Sequence, residues 1–169
     1  MIHNKLLQWF DQNKRDLPWR HGRNPYRVWV AEIMLQQTQV KTVIPYFKKW
    51  MKKYPTLKSL RNAEYDKVLK MWEGLGYYSR CKNMHKASQL IESSFPNNYK
   101  DLRKLPGVGD YTAKTILSIA FDKPFVGIDT NLERFTNVFA AAGHPNCVFE
   151  IEFNQLIKLT NGQIKEIAE

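Results

Sequence analysis

Leu105-Pro106-Gly107-Val108-Gly109-Asp110-Tyr111-Thr112-Ala113 lies between two helical patterns in a chain of 169 residues. Glycines at i and i+2 permit a sharp turn with backbone N–H groups exposed. Asp110 then opens a helix that the apolar pattern carries to Phe121. The amides of the turn, with the N-terminus of that helix, suit a phosphate oxygen. An ordinary helix–helix connection is the bland alternative, and a G-x-G alone does not exclude it. Outward from this turn the chain reads as short helices. A first helix runs to about Asn13, and a loop from Asp16 to Asn24 leads to Pro25, a residue suited to the first helical turn. Helical segments follow over Tyr26–Thr38, Val40–Tyr54 (bent or begun at Pro45), Thr56–Ala63, Glu64–Trp72, Tyr77–Ser93 and Asp101–Leu105. After an extended Pro124–Ile128, a helix is predicted from Asp129 to about Ala142, with one or two more over Val148–Glu169. No repeat or low-complexity run interrupts the pattern, and the predicted class is all-α.

Charge is unevenly placed. Residues 1–125 carry 23 basic and 10 acidic side chains, a net +13, whereas residues 126–169 carry 3 and 6, a net −3. A basic body suits a polyanion, and the alternative is a lysine-rich solvated surface. The basic residues spread over many segments, which disfavours a single membrane-surface helix. No stretch of 18 apolar residues exists to span a bilayer. Two cysteines, Cys81 and Cys147, make neither a disulfide framework nor a structural zinc site of their own, and point to a reducing, intracellular setting.

Two carboxylates stand out. Glu32 lies in the most apolar helix, Val28-Trp29-Val30-Ala31-Glu32-Ile33-Met34-Leu35. On pattern alone it is more often a solvent-facing residue. In a pocket, desolvation raises its pKa and equips it to donate a proton near neutral pH. The polar cluster Gln36-Gln37-Thr38-Gln39 at the end of that helix offers amides that hydrogen-bond base edges or fill a gap in a base stack. Asp129 suits a helix N-cap, a role compatible with an ionised carboxylate at a cleft mouth. A proton donor paired with a fixed anion is what cleavage of a glycosidic bond requires.

Taken together, these motifs resemble a known family. The L-P-G-V-G run with Tyr111-Thr112-Ala113 resembles the helix-hairpin-helix element of base-excision DNA glycosylases. Leu17-Pro18-Trp19-Arg20, Pro25 through Val40, Val43-Ile44-Pro45-Tyr46-Phe47, Trp72-Glu73-Gly74-Leu75-Gly76-Tyr77-Tyr78-Ser79-Arg80 and Asp129-Thr130-Asn131 extend the match from about Leu6 to Phe135. The chain is similar to the catalytic region of a MutY-type adenine DNA glycosylase. The resemblance implies a helix-hairpin-helix glycosylase fold, with two helical lobes and the active-site cleft between them. It places a six-helix domain at 20–120, and a second lobe, built from 1–19 plus 121–169, that lacks part of its core. It implies that Glu32 protonates a flipped adenine and that Asp129 stabilises the sugar cation, with Tyr111 and Asn131 completing the catalytic group. Arg15, Trp19 and Arg20 then line the adenine pocket. Gln37 and Tyr77 enter the base stack, offsetting part of the cost of unstacking, and Leu35 and Gln36 are further substrate- or DNA-binding residues. Leu105, Gly107, Val108 and Gly109 grip the DNA backbone.

The implied substrate is double-stranded DNA carrying adenine opposite 8-oxoguanine or guanine, attacked by a monomer with no membrane involved. Tyr111 stands where lyase relatives carry a Schiff-base lysine, which implies a hydrolytic, monofunctional reaction. Thr130 departs from the family's glycine after the catalytic Asp. The family also implies a [4Fe–4S] cluster on four cysteines, and a C-terminal domain that reads 8-oxoguanine. The four ligands are not among these residues, and the expectation is a fragment or a shortened member. A thymine-mismatch glycosylase and a non-catalytic DNA-binding remnant are the alternatives.

Overall fold

A computed structural model describes residue 12, residues 15–125, and the backbone of residues 137–141 and 148–152. Helix α1 (Pro25–Leu35) starts where Asn24 accepts the amide of Arg27 through its side chain, with Pro25 in the first turn. Helix α2 (Val40–Lys53) runs on through Pro45. Short α3 (Leu57–Arg61) begins with a reciprocal Thr56–Ser59 capping box. Helices α4 (Tyr65–Trp72) and α5 (Tyr78–Leu90) follow, then the single turn α6 (Tyr99–Leu102), capped by Asn98, and α7 (Asp110–Phe121).

Helix α1 is the hub. Eight of its eleven residues are buried, and it packs against α2, α5 and α7. Around it a continuous core gathers Trp29, Phe47, Trp50, Trp72, Met84, Ile116 and Leu117. Some of the polar groups in the core are paired within it, whereas Trp29 Nε1 and the Tyr54 hydroxyl have no partner among the described residues. Trp50 donates Nε1–H to the Tyr26 hydroxyl at 3.2 Å, and Tyr26 donates in turn to the Tyr54 carbonyl at 2.8 Å.

The hairpin between α6 and α7 adopts the sharp turn expected of it, but its two glycines do different work. Gly107 sits at φ +79°, where a Cβ would lie 3.1 Å from Asn83 Cβ. Gly109 is extended (φ −76°, ψ 179°) and simply precedes α7. Leu105 and Val108 are buried and anchor the turn from below.

The helical class and the helix-hairpin-helix arrangement hold over this body, and one expectation is corrected. Residues 129–142 and 148–169 were expected to be helical. Instead Asn137–Ala141 and Val148–Glu152 are strands β1 and β2, paired antiparallel with Asn137 opposite Glu152 and Ala141 opposite Val148. The period of two in Phe149-Glu150-Ile151-Glu152, and the turn formers Gly143 and Pro145 between the strands, are the signals a helical reading passes over. The first predicted helix, apart from Gln12, and most of the second lobe fall outside the described residues.

The hairpin geometry predicts a contrast. Gly107→Ala is expected to lose about 1–2 kcal/mol of stability, from positive φ and the Asn83 contact. Gly109→Ala is expected to stay within about 0.5 kcal/mol. Urea denaturation of the two variants checks this, and equal losses would contradict the assignment of the strained position to Gly107.

Candidate functional site

One cavity of about 700 Å³ opens between the end of α1, the start of α5, the first turn of α7 and the loop before α1. Nine residues singled out from the sequence line it: Arg15, Trp19, Arg20, Glu32, Leu35, Gln36, Gln37, Tyr77 and Tyr111. The loop is held in place by two backbone acceptors. The Arg20 amide donates to Leu17 O, and Arg27 Nη2 donates to Pro18 O, each at 2.8 Å. Trp19, nearly fully buried, packs edge-on against Phe47 with ring centroids 5.3 Å apart. A rigid wall therefore faces the carboxyl of α1.

Glu32 is only 7% exposed. It occupies the pocket alternative rather than the solvent-facing one. Burial raises its pKa from 4.5 to about 7, and the positive charge of Arg20 opposes that rise. The carboxyl can therefore hold a proton at neutral pH and give it up to a group entering the cavity.

Gln37 (φ +55°) and Tyr77 (φ +46°) are two of the three non-glycine residues with left-handed backbone among the described residues. Both stand on the cavity rim. Tyr77 is 59% exposed, a high value for an aromatic ring. Such conformations cost of order 1–3 kcal/mol each and gather at functional sites. Gln36, by contrast, turns toward the hairpin, where its Nε2 donates to Gly107 O at 3.3 Å and to Thr112 Oγ1 at 3.4 Å. This joins the cavity to the hairpin. Leu105, Gly107, Val108 and Gly109 do not line the cavity, and Asp129 and Asn131 lie outside the described residues.

Sequence reasoning gave no role to several lining residues, among them Ser79, Thr112 and above all Arg80. Arg80 appears in the quoted Tyr77-Tyr78-Ser79-Arg80 run. Its signal was a cation in the first turn of a helix, where the macrodipole disfavours one. Lys114 lies on α7 one turn beyond Tyr111, bound to Asp110 Oδ2 at 2.8 Å and away from the cavity. Asp110 also accepts from the Tyr99 hydroxyl, and this together with Lys114 holds its carboxyl below the usual range despite partial burial.

The residues present do not fit an iron–sulfur cluster. The chain has two cysteines, and four thiolates are needed. Cys81 is buried on α5 beside Val68 O, and desolvation pushes its thiol up to about 12. Among the described residues no group of three or more His, Cys, Asp or Glu could hold a metal ion, and no helix is long and apolar enough to cross a membrane.

Comparison with known proteins is consistent with this geometry. Residues 30–156 match the HhH-GPD superfamily base excision DNA repair protein family. The adenine DNA glycosylase of Buchnera aphidicola subsp. Baizongia pistaciae is 41% identical over 139 residues, covering 79% of this chain and 40% of that protein. Those of Rattus norvegicus and Homo sapiens are 46% and 45% identical over 146 residues, covering 79% of this chain and 28% and 27% of theirs. The chain thus spans less than half the length of these relatives. Among solved structures, a thermostable thymine-DNA glycosylase superposes with a TM-score of 0.69 at 27% identity, covering 76% of this chain and 62% of that one. A trapped Endonuclease III–DNA covalent intermediate gives 0.66 at 25%, covering 79% and 63%.

The Glu32 shift has a signed consequence. The native chain keeps a proton that the unfolded chain releases, so stability is intact below about pH 4.5 and declines as pH rises through about 7. Glu32→Gln removes that decline. It is expected to exceed the parent in stability by about 2–3 kcal/mol at pH 8, with the gap closing near pH 4. Urea titrations at both pH values measure it, and a gap independent of pH would mean the carboxyl is hydrated.

Proposed function

The chain belongs to the HhH-GPD superfamily of base excision DNA repair proteins, and from that premise we propose that it hydrolyses the N-glycosidic bond of adenine mispaired with 8-oxoguanine or guanine in duplex DNA. One observation carries this reading: a buried, protonatable Glu32 in a cavity large enough for a purine, with Gln37 and Tyr77 on its rim. The adenine-glycosylase relatives support the choice of base.

In the proposed reaction the hairpin amides and the basic surface of residues 1–125 bind the phosphate backbone. Gln37 and Tyr77 enter the stack as the adenine leaves it, and the base enters the cavity beside Trp19, Arg15 and Arg20. Glu32 gives its proton to the base, and the C1′–N bond breaks with its electron pair going to the purine. The oxocarbenium-like sugar is stabilised by the carboxylate of Asp129, with Asn131 beside it. Water adds to C1′ and loses its proton to the Glu32 carboxylate, which restores the acid.

Tyr111 faces the cavity where an amine would be needed for a Schiff base, so the reaction is a hydrolysis without a lyase step. The residues divide as a helical domain at 20–120 and a second lobe from 1–19 plus 121–169. The protein acts as a monomer in a reducing, intracellular compartment.

Strand release from an A:8-oxoguanine duplex after alkali tests the proposal. Product is expected from the parent chain, with a rate reduced at least about 100-fold in Glu32→Gln. The rate is expected to fall as pH rises past about 7, because the reactive form of Glu32 is the protonated one. Borohydride is expected to trap no protein–DNA adduct. Salt-sensitive binding without product would indicate a DNA-binding remnant, and release from a T:G duplex in place of A:8-oxoguanine a thymine-mismatch enzyme.

A further inference from the structure

Arg80 is a buried cation with no carboxylate partner among the described residues. Its guanidinium instead collects main-chain carbonyls from two turns that are distant in sequence. Nη1 donates to Ile33 O (3.2 Å), Met34 O (2.9 Å) and Gln36 O at the end of α1. Nη2 donates to Leu75 O and Gly76 O, both at 3.1 Å, in the loop before α5. The guanidinium carbon also lies over two aromatic rings, 5.4 Å from the Trp72 centroid and 5.3 Å from that of Tyr77. Nε is buried without a partner.

A charge so placed is expensive. It is desolvated, it lacks a counter-ion among the described residues, and it sits in the first turn of a helix. Its five acceptors explain the choice of residue. The carbonyls of Gln36 and Gly76 immediately precede Gln37 and Tyr77, the two left-handed residues on the rim. One planar fork therefore ties together the backbones that present both side chains to the DNA. A lysine ammonium offers three donors from a single atom and cannot reach two turns along fixed directions.

We propose that Arg80 is a positioning residue that sets the spacing of Gln37 and Tyr77, and thereby the efficiency of base extrusion, without taking part in bond cleavage. The inference rests on the proposed adenine excision and assigns the device that opens the stack.

The test separates extrusion from cleavage. Single-turnover adenine release is measured for the parent chain, Arg80→Lys and Arg80→Gln on two substrates: an A:8-oxoguanine pair in a full duplex, and the same adenine in an open bubble where it is already unstacked. Each variant's folding is followed by circular dichroism. The expected loss is at least about tenfold on the duplex and under about threefold in the bubble. Tyr77→Ala combined with Arg80→Lys is expected to be non-additive on the duplex, because both act through one element. A 2-aminopurine beside the target, read in the Glu32→Gln background, is expected to brighten on binding and to lose that gain in Arg80→Lys.

Equal losses on both substrates overturn the proposal. So does an unaltered duplex rate, or failure of both Arg80 variants to fold, which would make the residue a fold element only. If the parent chain releases no adenine from either substrate, the excision reading fails. The 2-aminopurine signal then still decides the role of Arg80, and its absence from the Glu32→Gln chain with Arg80 intact overturns both.

Discussion

The site depends on a helix that has almost no wet face. Helix α1 is enclosed by α2, α5 and α7, and a helix buried on nearly all sides is ordinarily apolar throughout. Glu32 is the exception. In that setting the neutral acid is the cheaper form, so burial itself supplies the proton donor. Arg20 limits the effect. Without a nearby positive charge, desolvation would carry the carboxyl higher still, toward a weaker acid that donates poorly. Burial and the Arg20 charge thus act in opposite directions on the carboxyl, and together bring its pKa to about 7.

The same helix ends in the rim. Its last turn gives way to Gln36 and Gln37, whose side chains part: one reaches back to the hairpin carbonyl of Gly107, the other stands at the cavity edge. Arg80 binds the carbonyls of that turn and those of the Leu75–Gly76 loop. Acid, rim and hairpin are therefore set by short chains of contacts that start from one rigid element. This is the arrangement that precise base handling needs.

Much of this was legible in the sequence because it is local. The Pro25 start, the Asp110 helix and the Gly107 turn each follow from a few adjacent residues, whereas the cap supplied by Asn24 was not read. The Glu32 cavity was legible only through the family motif, since periodicity alone left a solvent-facing glutamate as the commoner outcome. Two features escaped. Arg80 was marked locally only as a cation in the first turn of a helix, and three of its five acceptors lie more than forty residues away, on α1 and at its end. The strand pair escaped because Val138-Phe139-Ala140-Ala141 also suits a helix, and only the pairing with Val148–Glu152 selects the extended form. The sharp turn expected from the two glycines is present, with Gly107 alone at positive φ and Gly109 in an ordinary extended conformation.

The burial of Cys81 has a bearing on chemical durability. Peroxide and related oxidants attack thiolate, not thiol, and climb from there to sulfenic and higher acids. With its proton held up to about 12 and its sulfur sealed beneath α4 and α5, Cys81 presents almost no thiolate at cellular pH. The function proposed above would set the chain among those reagents. This helical body withholds from them the one free cysteine found among its described residues.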